Sequence, residues 1–92
     1  MDIQARLKAL SDDLADLVVE ARILDEQIDF QADVADDARL RSIVSETPLA
    51  DRDAREAGGD LERMRRVRAD LASKIDAVRA EQDRLLERML ER

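Results

Sequence analysis

Cysteine, histidine, tryptophan and tyrosine are all missing from this chain of 92 residues. Without cysteine there is neither a disulfide nor a thiolate metal site to staple a small fold. Without histidine the commonest proton shuttle and metal ligand is gone. One phenylalanine, Phe30, is the only aromatic residue, and one proline and two glycines leave few places for the chain to turn. Long apolar runs are absent too: the longest is Leu17–Val19, far short of a membrane span. The opening MDIQARLKAL is amphipathic and includes an acidic residue, Asp2, unlike a signal or transit sequence. These absences lead to the expectation of a soluble, cytoplasmic protein with no cofactor and no membrane contact.

What the chain does contain is charge, 42% of its residues, and enough apolar residues, 45%, to favour a long-helix coiled coil over an acidic disordered chain. The net charge of −7 is unevenly placed. From Met1 to Glu46 there are 12 acidic and 5 basic residues, whereas from Thr47 to Arg92 there are 11 of each. An acidic first half repels phosphates, which argues against general DNA binding and suits a partner with a basic surface.

Apolar and small residues recur at Ile3, Leu7, Leu10, Leu14, Leu17, Ala21, Leu24, Ile28, Gln31, Ala35, Ala38, Ser42 and Ser45. The spacing alternates four and three without a slip, the signature of one coiled-coil seam. The second half repeats it at Ala50, Ala54, Ala57, Leu61, Met64, Arg68, Leu71, Ile75, Val78, Gln82, Leu85 and Met89. Between the seams lies Ser45-Glu46-Thr47-Pro48. Thr47 reads as an N-cap and Pro48 as the first residue of a new helix. The expected fold is all-α: an antiparallel two-helix coiled-coil hairpin, helix 1 over about 3–45 and helix 2 over about 48–91. It forms a single domain, 1–92, with its tip at 45–48. Gly58 and Gly59 leave a possible weak point at 58–60, but the heptad phase runs through them, which favours an unbroken helix. Small residues at Ala35, Ala38, Ser42, Ala54, Ala57 and Gly58 are expected to let the backbones approach near the tip.

A tight turn favours the register whose facing positions sum to about 92. It pairs Ile3 with Met89, Leu7 with Leu85, Leu14 with Val78 and Leu17 with Ile75. It also sets Glu20 near Lys74, Asp25 near Arg65, Arg39 near Asp51 and Arg41 near Asp53. Its cost is Arg6 near Arg88 and Asp13 near Glu81. A register summing to about 99 instead sets Gln31 against Arg68, but needs a longer loop.

Helix 1 carries more apolar residues than one seam requires. Val19, Ile23, Phe30, Leu40 and Val44, with Val34 and Ile43 nearby, lie outside it. Such a strip marks an interaction site. Val19, Ile23, Phe30, Val34, Leu40 and Val44 are therefore the candidate partner or oligomer interface, with Phe30 at its centre. The plainest occupant is a second copy, giving a homodimeric four-helix assembly, and the other is a different protein.

No catalytic constellation assembles. The serines, Thr47 and two lysines have no activating base, and AGGD lacks the lysine and spacing of a phosphate loop. Asp12, Asp13 and Asp16, or Asp33, Asp36 and Asp37, read as solvated faces rather than metal ligands. The segment Glu62–Asp70 is the densest in arginine. Arg65, Arg66 and Arg68 are candidate anion contacts, although a salt-bridging surface explains them as well. Arg68 occupies a seam position, where it can snorkel or specify register.

The stretch VRADLASKIDAVRAE resembles the helices of anti-sigma factors that bind cyclic di-GMP through E-x3-S-x2-R-x3-Q-x3-D. Laid on Leu61, Arg65, Arg68, Ala72 and Asp76, the pattern is met by Arg68 and Asp76 alone, so ligand binding does not carry over. A hairpin with Glu46, Asp51 and Asp53 near its tip is similar in outline to the factors that enter the secondary channel of RNA polymerase, but lacks their globular docking domain. The functional expectation is a non-enzymatic coiled-coil interaction module that self-associates and binds a protein partner through helix 1. The alternative is a transcription regulator of the anti-sigma or polymerase-binding hairpin type, responsive to a nucleotide.

Overall fold

The computed structural model describes residues 2–91, and the two seams become two long helices, α1 (Ile3–Ser45) and α2 (Pro48–Leu90), packed against each other as a hairpin. Asp2 starts α1: its Oδ1 accepts from the backbone N–H groups of Gln4 at 2.9 Å and Ala5 at 3.3 Å, satisfying donors that a helix start leaves unpaired. Every seam position is buried or half-buried except Ser45 beside the turn. Strict heptad spacing predicts this, because it keeps one stripe of each helix turned toward the other.

The chain divides into two compact units, one built from residues up to Arg22 with those from Ala69 onward, the other from Ile23–Arg68. In the first unit Ile3, Leu10 and Leu85 form a buried cluster, with Leu7, Val78 and Met89 packed against it. Ala21, Leu71 and Ile75 are buried there as well. Burying each large side chain of this kind contributes about 1.5–3 kcal/mol. The cluster gathers Ile3, Leu7, Leu85 and Met89 into one packed group, which agrees with the register of the tight turn.

The charge clashes anticipated for that register are resolved by one arginine. Arg6 turns to Glu81, donating from Nε at 2.9 Å and from Nη2 at 3.0 Å. These bonds hold the Glu81 carboxyl below its ordinary range and the guanidinium above its own. Asp13 adds a favourable field on Arg6. Glu81, which faced a repulsive neighbour in Asp13 on paper, is thus paired with an arginine about two turns along α1 from that aspartate.

In the second unit the turn consists of Glu46 and Thr47. Glu46 adopts a left-handed backbone, φ 52°, and its N–H returns to the Ser42 carbonyl at 3.1 Å, closing the C-terminus of α1. Thr47 Oγ1 accepts from the Ala50 N–H at 3.2 Å and caps α2, with Pro48 in its first turn, as the sequence predicts. Ser42 Oγ donates to the carboxylate of Asp51 across the turn.

Helix α2 runs unbroken through Gly58 and Gly59. The reason expected for Gly58 is corrected, however. A Cβ placed there meets nothing within 4 Å, so close helix approach does not require glycine at this position. Ala38 and Ala57, small seam residues on the two helices, are both buried.

The flanking ion pairs expected from heptad positions do not form. Among the described residues Glu20–Lys74, Asp25–Arg65, Arg39–Asp51 and Arg41–Asp53 are all open. Asp25 pairs with Arg68, whose Nε donates at 2.7 Å and Nη2 at 3.4 Å. The arginine stem snorkels out of the seam to reach a carboxylate, as its seam position led one to expect, although spacing did not say which carboxylate.

Candidate functional site

The two units differ in how completely they bury their large apolar side chains. The first buries leucine and isoleucine, whereas in Ile23–Arg68 the only buried hydrophobic residues are Ala38 and Ala57. In that second unit Ile23 is 50% exposed, Phe30 71%, Leu40 60% and Val44 82%. Ile43, Leu49 and Val67 are exposed as well. Toward the turn the seam is Gln31, Ala35, Ala38, Ser42, Ala50, Ala54 and Ala57, small and polar residues, while Leu24, Ile28, Leu61 and Met64 farther from the turn are only half-buried.

These exposed residues are ordered on α1. Ile23, Glu26, Phe30, Asp33, Asp37, Leu40 and Val44 again alternate steps of three and four. They form a second heptad row on the side of α1 turned away from α2. With apolar residues on both sides, α1 is less amphipathic than α2. Val34 differs from its companions: it lies half-buried beside the seam and not on the row. Val19 is exposed, in the first unit.

Beside the row, Ile23, Glu26, Gln27, Phe30, Gln31 and Met64 line an open groove. The floor of this region is held by Gln31, which crosses to α2 and donates from Nε2 to the Ala57 carbonyl at 3.0 Å. The Gln31 amide was legible as a polar seam position, but its backbone partner was not, because sequence spacing does not say which carbonyl an amide will reach.

Charge gives the row its second property. Between Ile23 and Ala38 the sequence has six acidic residues and no basic one. Asp25 is paired with Arg68. Glu26, Asp29, Asp33, Asp36 and Asp37 are exposed and form no ion pair among the described residues. No group of three or more potential metal ligands converges among the described residues.

No family model, curated protein or solved structure matches this chain. Its function therefore has to be read from its own surfaces. The arginines singled out in the sequence are not brought together as an anion site. Arg66 bonds Glu62 at 3.2 Å, Arg68 bonds Asp25, and Arg65 stands exposed. No helix among the described residues is long and apolar enough to cross a membrane.

Proposed function

We propose that this chain is a non-enzymatic coiled-coil interaction module that offers the outer face of α1, from Ile23 to Val44, to a protein partner. The observation that carries the reading is the exposure of Phe30, Leu40 and Val44 on one ordered row within a unit that buries only alanines. A large apolar side chain gains about 1.5–3 kcal/mol when covered, so such a row favours occupation. A buried aromatic is the usual energetic centre of an interface, which assigns that part to Phe30. Self-association through the same face is the competing occupant, and like charge on the row counts against it.

A photo-crosslinking residue placed at Phe30, and in a control chain at Glu62 on α2, tests the reading in the producing cell. Adducts from position 30 and none from position 62 support it. Equal yields from both positions, or none from either, would remove its basis. Light scattering on the purified chain then tells whether the adduct is a second copy, in which case Phe30→Glu halves the mass.

A further inference from the structure

We propose that the outer row of α1 receives a basic amphipathic helix about six turns long, with apolar anchors toward its ends and arginine or lysine at its middle. This rests on the interaction-module reading and specifies the partner's chemistry.

The argument begins with the order of residues along the row. Ile23 and Phe30 supply apolar contacts at one end, with Glu26 between them, and Leu40 and Val44 supply them at the other. Asp33 and Asp37 occupy the middle. A row repeating every 3.5 residues is complementary to a helix with the same repeat, because knobs from one enter spaces on the other. From Ile23 to Val44 the row spans roughly 30 Å at about 1.5 Å per residue. A helix laid on it must cover Glu26, Asp33 and Asp37 together with the apolar residues. Covering unpaired carboxylates is unfavourable unless each meets a cation with hydrogen-bonding geometry, which guanidinium and ammonium groups provide. The groove beside Phe30, floored by Met64 and Gln31, takes one apolar anchor.

A second copy does not meet these needs. Its α1 would bring a matching set of carboxylates against Glu26, Asp33 and Asp37. On its α2, Arg52, Arg63 and Arg66 are already engaged by Glu56, Asp60 and Glu62 within one turn. Arg55 and Arg65 are exposed without an ion pair among the described residues, but Leu49 and Val67 are the only exposed large apolar residues of that helix within the unit, too few for a matching apolar row. Exposed aspartates at Asp29 and Asp36 flank the row and add attraction for a cationic helix, which speeds encounter and makes binding salt-dependent.

The test uses the full chain and two synthetic peptides of equal length. Both carry leucine at heptad spacing; one has arginine at the intervening positions of that face and the other glutamate. Fluorescence anisotropy is measured at low and high salt, with sedimentation equilibrium on the chain alone. The proposal expects the arginine peptide to bind and the glutamate peptide not to. It further expects Phe30→Ser, and Asp33→Asn with Asp37→Asn, each to weaken binding by about tenfold or more, as loss of a desolvated contact does. Asp16→Asn with Glu20→Gln, which removes as much charge from the other unit, should change affinity by less than about twofold. Equal losses in the two charge variants would overturn the proposal by showing diffuse attraction. Binding of the glutamate peptide would overturn it while leaving the interaction module intact. Failure of both peptides with a dimer that Phe30→Glu dissolves would give the face to a second copy. Failure of both with a monomer would remove the module reading as well.

Discussion

The side-chain amide of Gln31 on α1 donates to the main-chain carbonyl of Ala57 on α2, one residue before the glycine pair. A seam position is thus filled by a hydrogen bond to backbone in place of an apolar contact. The glycine pair that follows weakens the helix just where this bond ties it down.

Gly58→Ala is accordingly expected to stabilise the chain. The added methyl meets no neighbour, and alanine is favoured over glycine inside a helix by about 1 kcal/mol. A urea melt followed by circular dichroism measures it; a loss of stability would mean that α2 is not helical through this position.

Glu46 holds a left-handed backbone, which costs a residue with a side chain about 1 kcal/mol. Glu46→Gly relieves that cost, less the greater freedom glycine gives the unfolded chain, and should raise stability by up to about 1 kcal/mol. Glu46→Val, β-branched, should lower it. Equal melts for the two variants would argue that the turn is built otherwise.

Arg6 and Glu81 give a pH signature. The hydrogen bonds from Arg6 lower the folded-state carboxyl below its unfolded value, so the stabilisation is complete above the unfolded pKa, about 4.3. It is lost as pH falls through the lower folded value. Thermal melts of the parent and Glu81→Gln should differ at pH 7 and converge as the pH falls below the lowered folded-state value. Comparing the two chains cancels the general relief of acidic repulsion at low pH. A difference that persists in acid would assign the effect to packing.

Ile3 and Met89 belong to the same packed group in the first unit. Cysteines at both positions should oxidise to a bridge within one chain, visible as a monomer of increased mobility on a non-reducing gel. Exclusively cross-chain bridges would contradict the hairpin.

Much of this architecture was readable because a coiled coil writes its inside into the spacing of its residues. The seam from Ile3 to Ser42 and from Ala50 to Met89, the Thr47 cap, the Pro48 start and the tight register all follow from period and turn chemistry. The outer apolar residues of α1 were legible for the same reason, as positions that one seam does not use. What spacing could not supply was the reach of long polar side chains. Asp25 meets Arg68 and not Arg65, Arg6 crosses to Glu81, and Gln31 finds a carbonyl. Each depends on rotamers that sweep several ångströms and so escape a wheel drawn at Cβ. The role of Gly58 escaped for a related reason, since the seam pattern does not say how far a neighbouring backbone stands from a flanking position.

The half of the chain around the turn conceals no leucine, isoleucine or phenylalanine of its own beyond partial cover. Such a segment opens locally at lower free energy than a leucine-filled one, and opened backbone is what proteases cut. A partner seated on α1 would shield it. Copies made in excess of that partner would then be the first degraded, and cellular abundance would follow the supply of the bound protein with no dedicated regulator.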